Sequence, residues 1–437
     1  MDRRKLIENP YRPGAGHMPP FFAGRTREQD HFKRLLRQNF VTENILVTGL
    51  RGMGKTVLLA HLKQLAEREG WIWVGNDLSE SASLSEERLA LRILTDISES
   101  LGRVLTASAR ESEESTIASF DALRNMYERA PGLPSDRLRS VLVRLGSLAN
   151  SAKARGIIIA YDEAQCLSDR ADHNEFPMSM LIETIASLQR KSGVTQYMLV
   201  LCGLPQVHDA LTDARTYTER MFNVITLERL SRSDTHEAFI TPLHHLMPPL
   251  GISKELIDKA VDLTRGYPYL IQFFGKELID ELLLNGGILS ANKFPSPAVL
   301  DRLDSGLFAA RWNKTTDKQR EVLNIIACRP ANSPVDFSSQ EISEQSLGEL
   351  TNAQANQMLL ALTERGLLYR TRHGRYAFTV PMSEMMILRR VRNSERVEES
   401  WLEAPPSFAA LSGAKDRGIA EAEELEMPSK RWRWFRS

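Results

Sequence analysis

Eight consecutive residues hold the plainest chemistry in this chain: Gly49, Leu50, Arg51, Gly52, Met53, Gly54, Lys55 and Thr56. Gly49, Gly52 and Gly54 allow the backbone to turn so that its N–H groups point inward, which makes a nest for an anion. The apolar run Ile45-Leu46-Val47-Thr48 precedes the octet, and a helix-forming run from Val57 to residue 69 follows it. A strand before and a helix after place the positive end of the helix under the same turn, which suits a phosphate group. In a phosphate-binding loop of this kind the lysine, here Lys55, reaches the β- and γ-phosphates of a nucleotide. The hydroxyl that follows, Thr56, ligates Mg²⁺.

A second group of candidate residues lies at the end of another apolar run. Gly156-Ile157-Ile158-Ile159-Ala160-Tyr161 reads as a central parallel strand buried on both faces, and it ends in Asp162-Glu163. This is a Walker B signature. Asp162 is expected to hold Mg²⁺ through water, and Glu163 to polarise the water that attacks the γ-phosphate. On its own, such a pair could equally be a strand capped by surface acids; the loop upstream makes the catalytic reading the stronger one.

Positioning both groups requires a parallel sheet. Further strands are expected at Trp71-Ile72-Trp73-Val74, at residues 197–201 before Cys202-Gly203-Leu204-Pro205, and at Val224-Ile225-Thr226-Leu227. Helical spacing over residues 85–105, 135–154 and 178–191 separates them. The alternation gives an α/β fold with a doubly wound core. The Ser- and Glu-rich stretch 106–134 reads as a solvated excursion from that core. After Leu227 the pattern is helical alone, over 231–246, 253–264 and 267–284, which suits a small lid, and residues 285–297 read as a linker. Helices over 316–327, 338–344 and 352–365, then strands over 367–370 and 375–380 about Arg372-His373-Gly374, give the order of a winged helix.

Composition narrows the setting. The chain has 437 residues, enough for two or three domains, and Lys plus Arg equal Asp plus Glu at 56 each. A nucleic-acid partner would therefore have to be met by a local patch. The three cysteines, Cys166, Cys202 and Cys328, lack metal-ligand spacing and suit a reducing, cytoplasmic compartment. No apolar run is long enough to span a membrane, and the first residues lack the apolar core of a signal peptide.

Taken together, these motifs resemble AAA+ ATPases of the origin-recognition-complex-like and STAND type (signal-transducing ATPases with numerous domains), in which a P-loop NTPase core carries an α-helical lid and a C-terminal winged helix. Phe21-Phe22-Ala23-Gly24-Arg25-Thr26-Arg27-Glu28 is similar to the box before the P-loop in that family. Asn9-Pro10-Tyr11 with Pro19-Pro20 resembles its adenine-wrapping lead-in. The resemblance spans roughly residues 9–392 and implies a lead-in over 1–20, a core over 21–230, a lid over 231–290, a winged helix over 291–393 and a tail over 394–437. It implies ATP and ADP as ligands, Mg²⁺ as cofactor, and ATP hydrolysis in a nucleotide-dependent switch.

The same resemblance assigns roles residue by residue. Tyr11 and Arg25 would line the nucleotide, and Pro268 of Thr264-Arg265-Gly266-Tyr267-Pro268 would report on it from the lid. Arg220, with Arg215 as the competitor, falls where the family places an arginine finger that reaches a neighbouring subunit. Two departures imply slow turnover: Cys202 stands where a hydrogen-bonding sensor residue is usual, and the lid lacks an unambiguous sensor arginine. The partner of the winged helix stays open. Arg370, Arg372, His373, Arg375, Arg389, Arg390 and Arg392 supply the cation density that duplex DNA needs, whereas the helix over 352–365 is poor in cations and suits a latch or protein-binding module instead. The tail ends in Lys430-Arg431-Trp432-Arg433-Trp434-Phe435-Arg436, which could stack on single strands, rest on an anionic surface, or form a disordered end.

Overall fold

The apolar runs that are continuous in sequence form strands buried along their whole length. In the computed structural model, which describes residues 8–14, 16–107, 117–191, 195–244, 246, 252–330 and 333–395, strands β1 (Asn44–Thr48), β2 (Trp71–Val74) and β3 (Gly156–Tyr161) are buried at every position. With β4 (Gln196–Gly203) and β5 (Phe222–Thr226) they make a five-stranded sheet in the order β2-β3-β4-β1-β5. All four pairings are parallel, and the register sets Val47 beside Cys202 and Tyr161 beside Leu201. The edge strand β5 is more open: Phe222 is buried, Asn223 and Ile225 are half-buried, and Val224 and Thr226 are exposed.

This order places β4 between the strand that feeds the glycine-rich loop and the strand that ends in Asp162. The carboxyl ends of β1, β3 and β4 therefore open on one edge of the sheet, where doubly wound folds bind their ligands. Helices cover both faces. The helix Lys55–Arg68 packs with the lid helices Lys254–Thr264 and Pro268–Leu284 on one side, and Glu86–Ala107, Pro134–Ser151 and Pro177–Arg190 pack on the other.

Three segments differ from the sequence reading. Within 106–134, residues 108–116 lie outside the described part, but Phe120–Arg129 forms a helix capped by the Ser119 hydroxyl, and Leu123 and Tyr127 are buried. The polar run next to it hides this short apolar spacing. Between the linker read over 285–297 and the helix read from 316, the sequence reading placed no element. There Pro297–Leu303, a single π-turn at Asp304–Phe308 and Ala309–Trp312 continue as one helical element, which Gly306 disguises in sequence. A last helix, Ser383–Glu395, follows the hairpin and was not anticipated.

The C-terminal region folds from local signals. Helices Asp317–Ala327, Ser339–Gln345 and Asn352–Glu364 each begin with a reciprocal capping box, formed by Thr316 with Gln319, Ser338 with Glu341, and Thr351 with Gln354. Strands β6 (Phe337–Ser338), β7 (Leu368–Arg372) and β8 (Arg375–Phe378) form an antiparallel sheet in the order β6-β8-β7. Gly374, at φ 72°, supplies the left-handed residue of the turn. Among the described residues no helix is long and apolar enough to cross a membrane.

Candidate functional site

The glycines of the loop are required by what lies against them. Gly52 and Gly54 have φ of 78° and 83°, a region that side chains disfavour. A Cβ on Gly49 would come within 2.9 Å of the Leu227 carbonyl, and one on Gly52 would strike the Tyr267 hydroxyl. That hydroxyl donates to the Arg51 carbonyl at 2.5 Å, so a lid residue clamps the loop. Burial pushes Tyr267 up to about 12, which keeps it a donor at neutral pH.

Lys55 begins the helix, and its Nζ donates to the Leu50 carbonyl at 3.1 Å. Burial lowers its pKa from the ordinary lysine value, opposed by Cys202, Asp162 and Glu163. Beside it the Thr56 hydroxyl donates to Asp162 Oδ2 at 2.5 Å, and Asp162 Oδ1 accepts from the Glu163 amide at 2.8 Å. The strand end that carries Asp162 is fixed by its own backbone, since its N–H donates to Asn76 and its carbonyl accepts from Leu78. Burial, Asp162 and Glu163 together raise the carboxyl of Asp77, which bridges to Asp162 across the strand ends. Cys202 is buried. Burial and then Asp162 push its thiol well above the ordinary range, so it stays neutral.

These groups open into a cavity of about 590 Å³. Arg51, Gly52, Met53, Gly54, Lys55, Thr56 and Val57 form one wall, with Glu163 beside them and Arg25 and Pro268 opposite. A hydroxyl and a carboxylate already in contact, a half-buried amine and a turn of positive-φ glycines together fit a Mg²⁺–triphosphate ligand. Gly49 and Leu50 lie behind the lining, and Asp162 reaches the cavity through Thr56.

Two residues stand apart from the roles expected of them. Tyr11 is 2% exposed and is not part of the lining. Its ring lies on Gly275 of the lid, and its hydroxyl donates to the Phe239 carbonyl, so it anchors the lead-in while Arg12, Pro13 and His17 next to it line the cavity. Its aromatic ring prefers the apolar groove to the wall of a polar site. Arg25 does line the cavity, but its guanidinium donates to the Glu228 carbonyl and pairs with Glu28 at 3.8 Å, which leaves it a structural corner.

Arg220 sits exposed in the short helix Thr218–Met221, outside the cavity lining, while Arg215 pairs with Glu183 at 3.4 Å. Sequence reasoning missed Gln272, Leu307 and Arg311, which line the cavity from the lid and from the helical element after it. No local motif marks them, because they meet the loop only through the tertiary fold.

Comparison with known proteins bears on this architecture. Residues 22–200 match the AAA ATPase domain family, and residues 305–385 match a domain of unknown function (DUF8462). The core of this chain is an AAA ATPase domain. Its fold is similar to that of the Aeropyrum pernix ORC2 protein in ADPNP–ADP complexes, with a TM-score of 0.55 and 12% identity over 90% of this chain and 100% of that one. It is also similar to the Walker-type ATPase PABY2304 of Pyrococcus abyssi, with a TM-score of 0.51 and 16% identity over 84% of this chain and 96% of that one. No curated protein sequence matches the chain. In this AAA ATPase fold the glycine-rich loop follows β1, the acidic pair follows β3, and Cys202 lies between them at the end of β4.

Proposed function

We propose that the protein is an ATP-binding AAA+ switch that hydrolyses ATP slowly with Mg²⁺ and whose bound nucleotide sets the contacts between core, lid and C-terminal region. The observation that carries this is the Thr56–Asp162 contact at the mouth of a cavity walled by the loop on one side and by Tyr267, Pro268 and Arg311 on the other. When bound, Mg²⁺–ATP supplies a terminal phosphoryl group open to attack by water. Lys55 and the loop N–H groups would hold the phosphates, and Thr56 and Asp162 the metal. Glu163 would orient the attacking water at its carboxylate. Two features favour slow turnover: the Glu163 carboxylate accepts from Gln165 in this state, and the neutral thiol of Cys202 is a weak donor beside it.

Calorimetry with ATP and Mg²⁺ tests the reading. Wild type is expected to bind, Lys55→Ala to lose binding by at least tenfold, and Glu163→Gln to bind normally while releasing phosphate at least a hundredfold more slowly. Absence of heat in wild type, or equal heat for Lys55→Ala, would overturn it.

The C-terminal region, with helices and hairpin in winged-helix order, supports a latch more than a DNA reader. Arg375 pairs with Asp336 and Glu341, Arg372 lies 3.7 Å from Asp336, Arg389 pairs with Asp301, and Arg390 with Asp304. Cations already matched to carboxylates contribute little to a polyanion contact. A DNA-binding role draws instead on Asn352, Gln354 and Gln357, which are exposed on their helix. Retention of duplex DNA that falls with Gln354→Ala and Gln357→Ala would favour that second reading. The basic-aromatic tip at 430–436 and the side chain of Arg392 lie outside the described residues.

A further inference from the structure

The first residues of the lead-in are held by the lid. Asn9 Nδ2 donates to the Lys276 carbonyl at 2.9 Å and to Asp280 Oδ1 at 2.8 Å, while its own Oδ1 accepts from the Tyr11 amide at 3.1 Å. The Arg12 amide donates to Gln272 Oε1 at 3.2 Å. Residues 272, 276 and 280 follow one another along a single face of the lid helix Pro268–Leu284.

Tyr11 is the deepest of these contacts. Its ring fills the place where a side chain on Gly275 would stand, since a Cβ there would come within 2.5 Å of it. Leu246 and Ile279 pack with the ring in a small apolar cluster of their own. The hydroxyl donates to the Phe239 carbonyl, and burial holds the phenol well above the ordinary tyrosine range, so it stays a donor.

By Phe22 the chain has crossed to the core. The Phe22 ring stacks on His61 of the helix Lys55–Arg68, with centroids 4.8 Å apart. Between the two ends Arg12, Pro13, Gly14, Gly16 and His17 line the nucleotide cavity. Gly16 passes close to the metal-binding threonine of the loop, for a Cβ on it would meet the Thr56 methyl at 3.4 Å. The lead-in is thus docked on the lid at one end and on the core at the other, with the cavity beneath.

We propose that Tyr11 is a positioning residue for the nucleotide: by seating the lead-in in the lid groove it keeps Arg12, Pro13 and His17 over the cavity and sets how long a bound adenosine nucleotide stays. The proposal rests on the nucleotide-switch reading above and deepens it. Undocking this end takes a buried aromatic ring out of an apolar groove and breaks a buried hydrogen bond, and both oppose release. Tyr11 does not line the cavity, so it acts through its neighbours and retains ADP and ATP alike.

Dissociation of fluorescent ADP and of a fluorescent non-hydrolysable ATP analogue, each bound with Mg²⁺ and chased with excess ATP, tests this directly. Tyr11→Ala is expected to release both about tenfold or more faster, with association changed by less than about threefold, a split that loss of folded protein would not give. Tyr11→Phe keeps the ring and should restore retention to within about fivefold of wild type. Should Tyr11→Ala melt below the assay temperature, Asn9→Ala removes the contacts to residues 276 and 280 while leaving the groove filled, and is expected to speed release by about threefold or more. Hydrogen exchange without nucleotide supplies a second readout: protection over 9–14 should be present in wild type and lost in the variant, while β1 and β3 keep theirs. Release at the wild-type rate in the variant tested overturns the proposal. Faster release of only one of the two nucleotides does so too, as does a wild type unprotected over 9–14. In those outcomes wild type still binds nucleotide; a wild type that binds none overturns the switch reading, and the proposal with it.

Discussion

Cys202 decides how the residues at the end of the sheet can work. It lies between the loop and the acidic pair, buried, with a thiol held neutral by burial and by Asp162. A hydroxyl in its place would donate more strongly and could hold a water beside Glu163. Cys202→Ser is nearly isosteric, and its hydroxyl finds an acceptor in Asp162, so the stability cost should stay near about 1 kcal/mol. Phosphate release should rise several-fold with nucleotide affinity unchanged within twofold; a steady-state assay beside calorimetry checks this, and unchanged turnover removes the thiol as the brake. The loop and the acidic pair were legible in sequence because their chemistry needs adjacent residues, so a local pattern suffices. Arg311 and Gln272 were not, since each enters the cavity alone from a distant element. Tyr11, read from the sequence as lining the nucleotide, was not legible as an anchor: the lid groove at Gly275, where any side chain would collide with its ring, exists only in three dimensions.

At the scale of elements, the helices of the C-terminal region announced themselves through their caps, whereas its ion pairs join positions far apart in sequence. Asp336 is the hub. It pairs with Arg375 at 2.9 Å, accepts from the Thr371 hydroxyl at 3.2 Å and faces Arg372. Burial alone would raise its carboxyl, but Arg375, Thr371 and Arg372 outweigh it and hold the pKa below the ordinary aspartate value. A folded-state carboxyl held below its unfolded value contributes stability that is complete above the unfolded pKa and is lost as pH falls through the folded one. The group is partly exposed, so solvent screening limits the contribution to about 1 kcal/mol or less. Asp336→Asn should therefore weaken exchange protection of β6 and β8 by up to about fivefold at pH 7, and the gap to wild type should close below about pH 4. A gap that is constant with pH would assign the effect to packing alone. The helical element 297–312 shows the opposite case: its π-turn and Gly306 interrupt the period that sequence reading relies on, although Arg302 pairs with Glu277 of the lid and Asp304 with Arg390 of the last helix.

For the whole molecule, the open question is whether one chain completes the site. The sheet ends at β5, whose outer edge is unpaired among the described strands, and the short helix beside it presents Arg220 to solvent, outside the cavity of its own chain. With Arg215 engaged by Glu183, Arg220 is the cation free to enter a neighbour's site, where an arginine finger contributes about 10³ to 10⁵ in rate. Such a role cannot be read from one chain's sequence or fold, because the distance that matters lies between two copies. Mixing resolves it. Lys55→Ala carries an intact Arg220 but a crippled loop, and Arg220→Ala carries an intact loop without the finger. If the finger acts between subunits, each variant alone should be nearly inactive in phosphate release. An equimolar mixture should recover a substantial fraction of wild-type activity, and light scattering should report assembly that depends on ATP. If Arg220 is only a solvated surface residue, Arg220→Ala alone will turn over like wild type and the mixture will show no gain beyond its share.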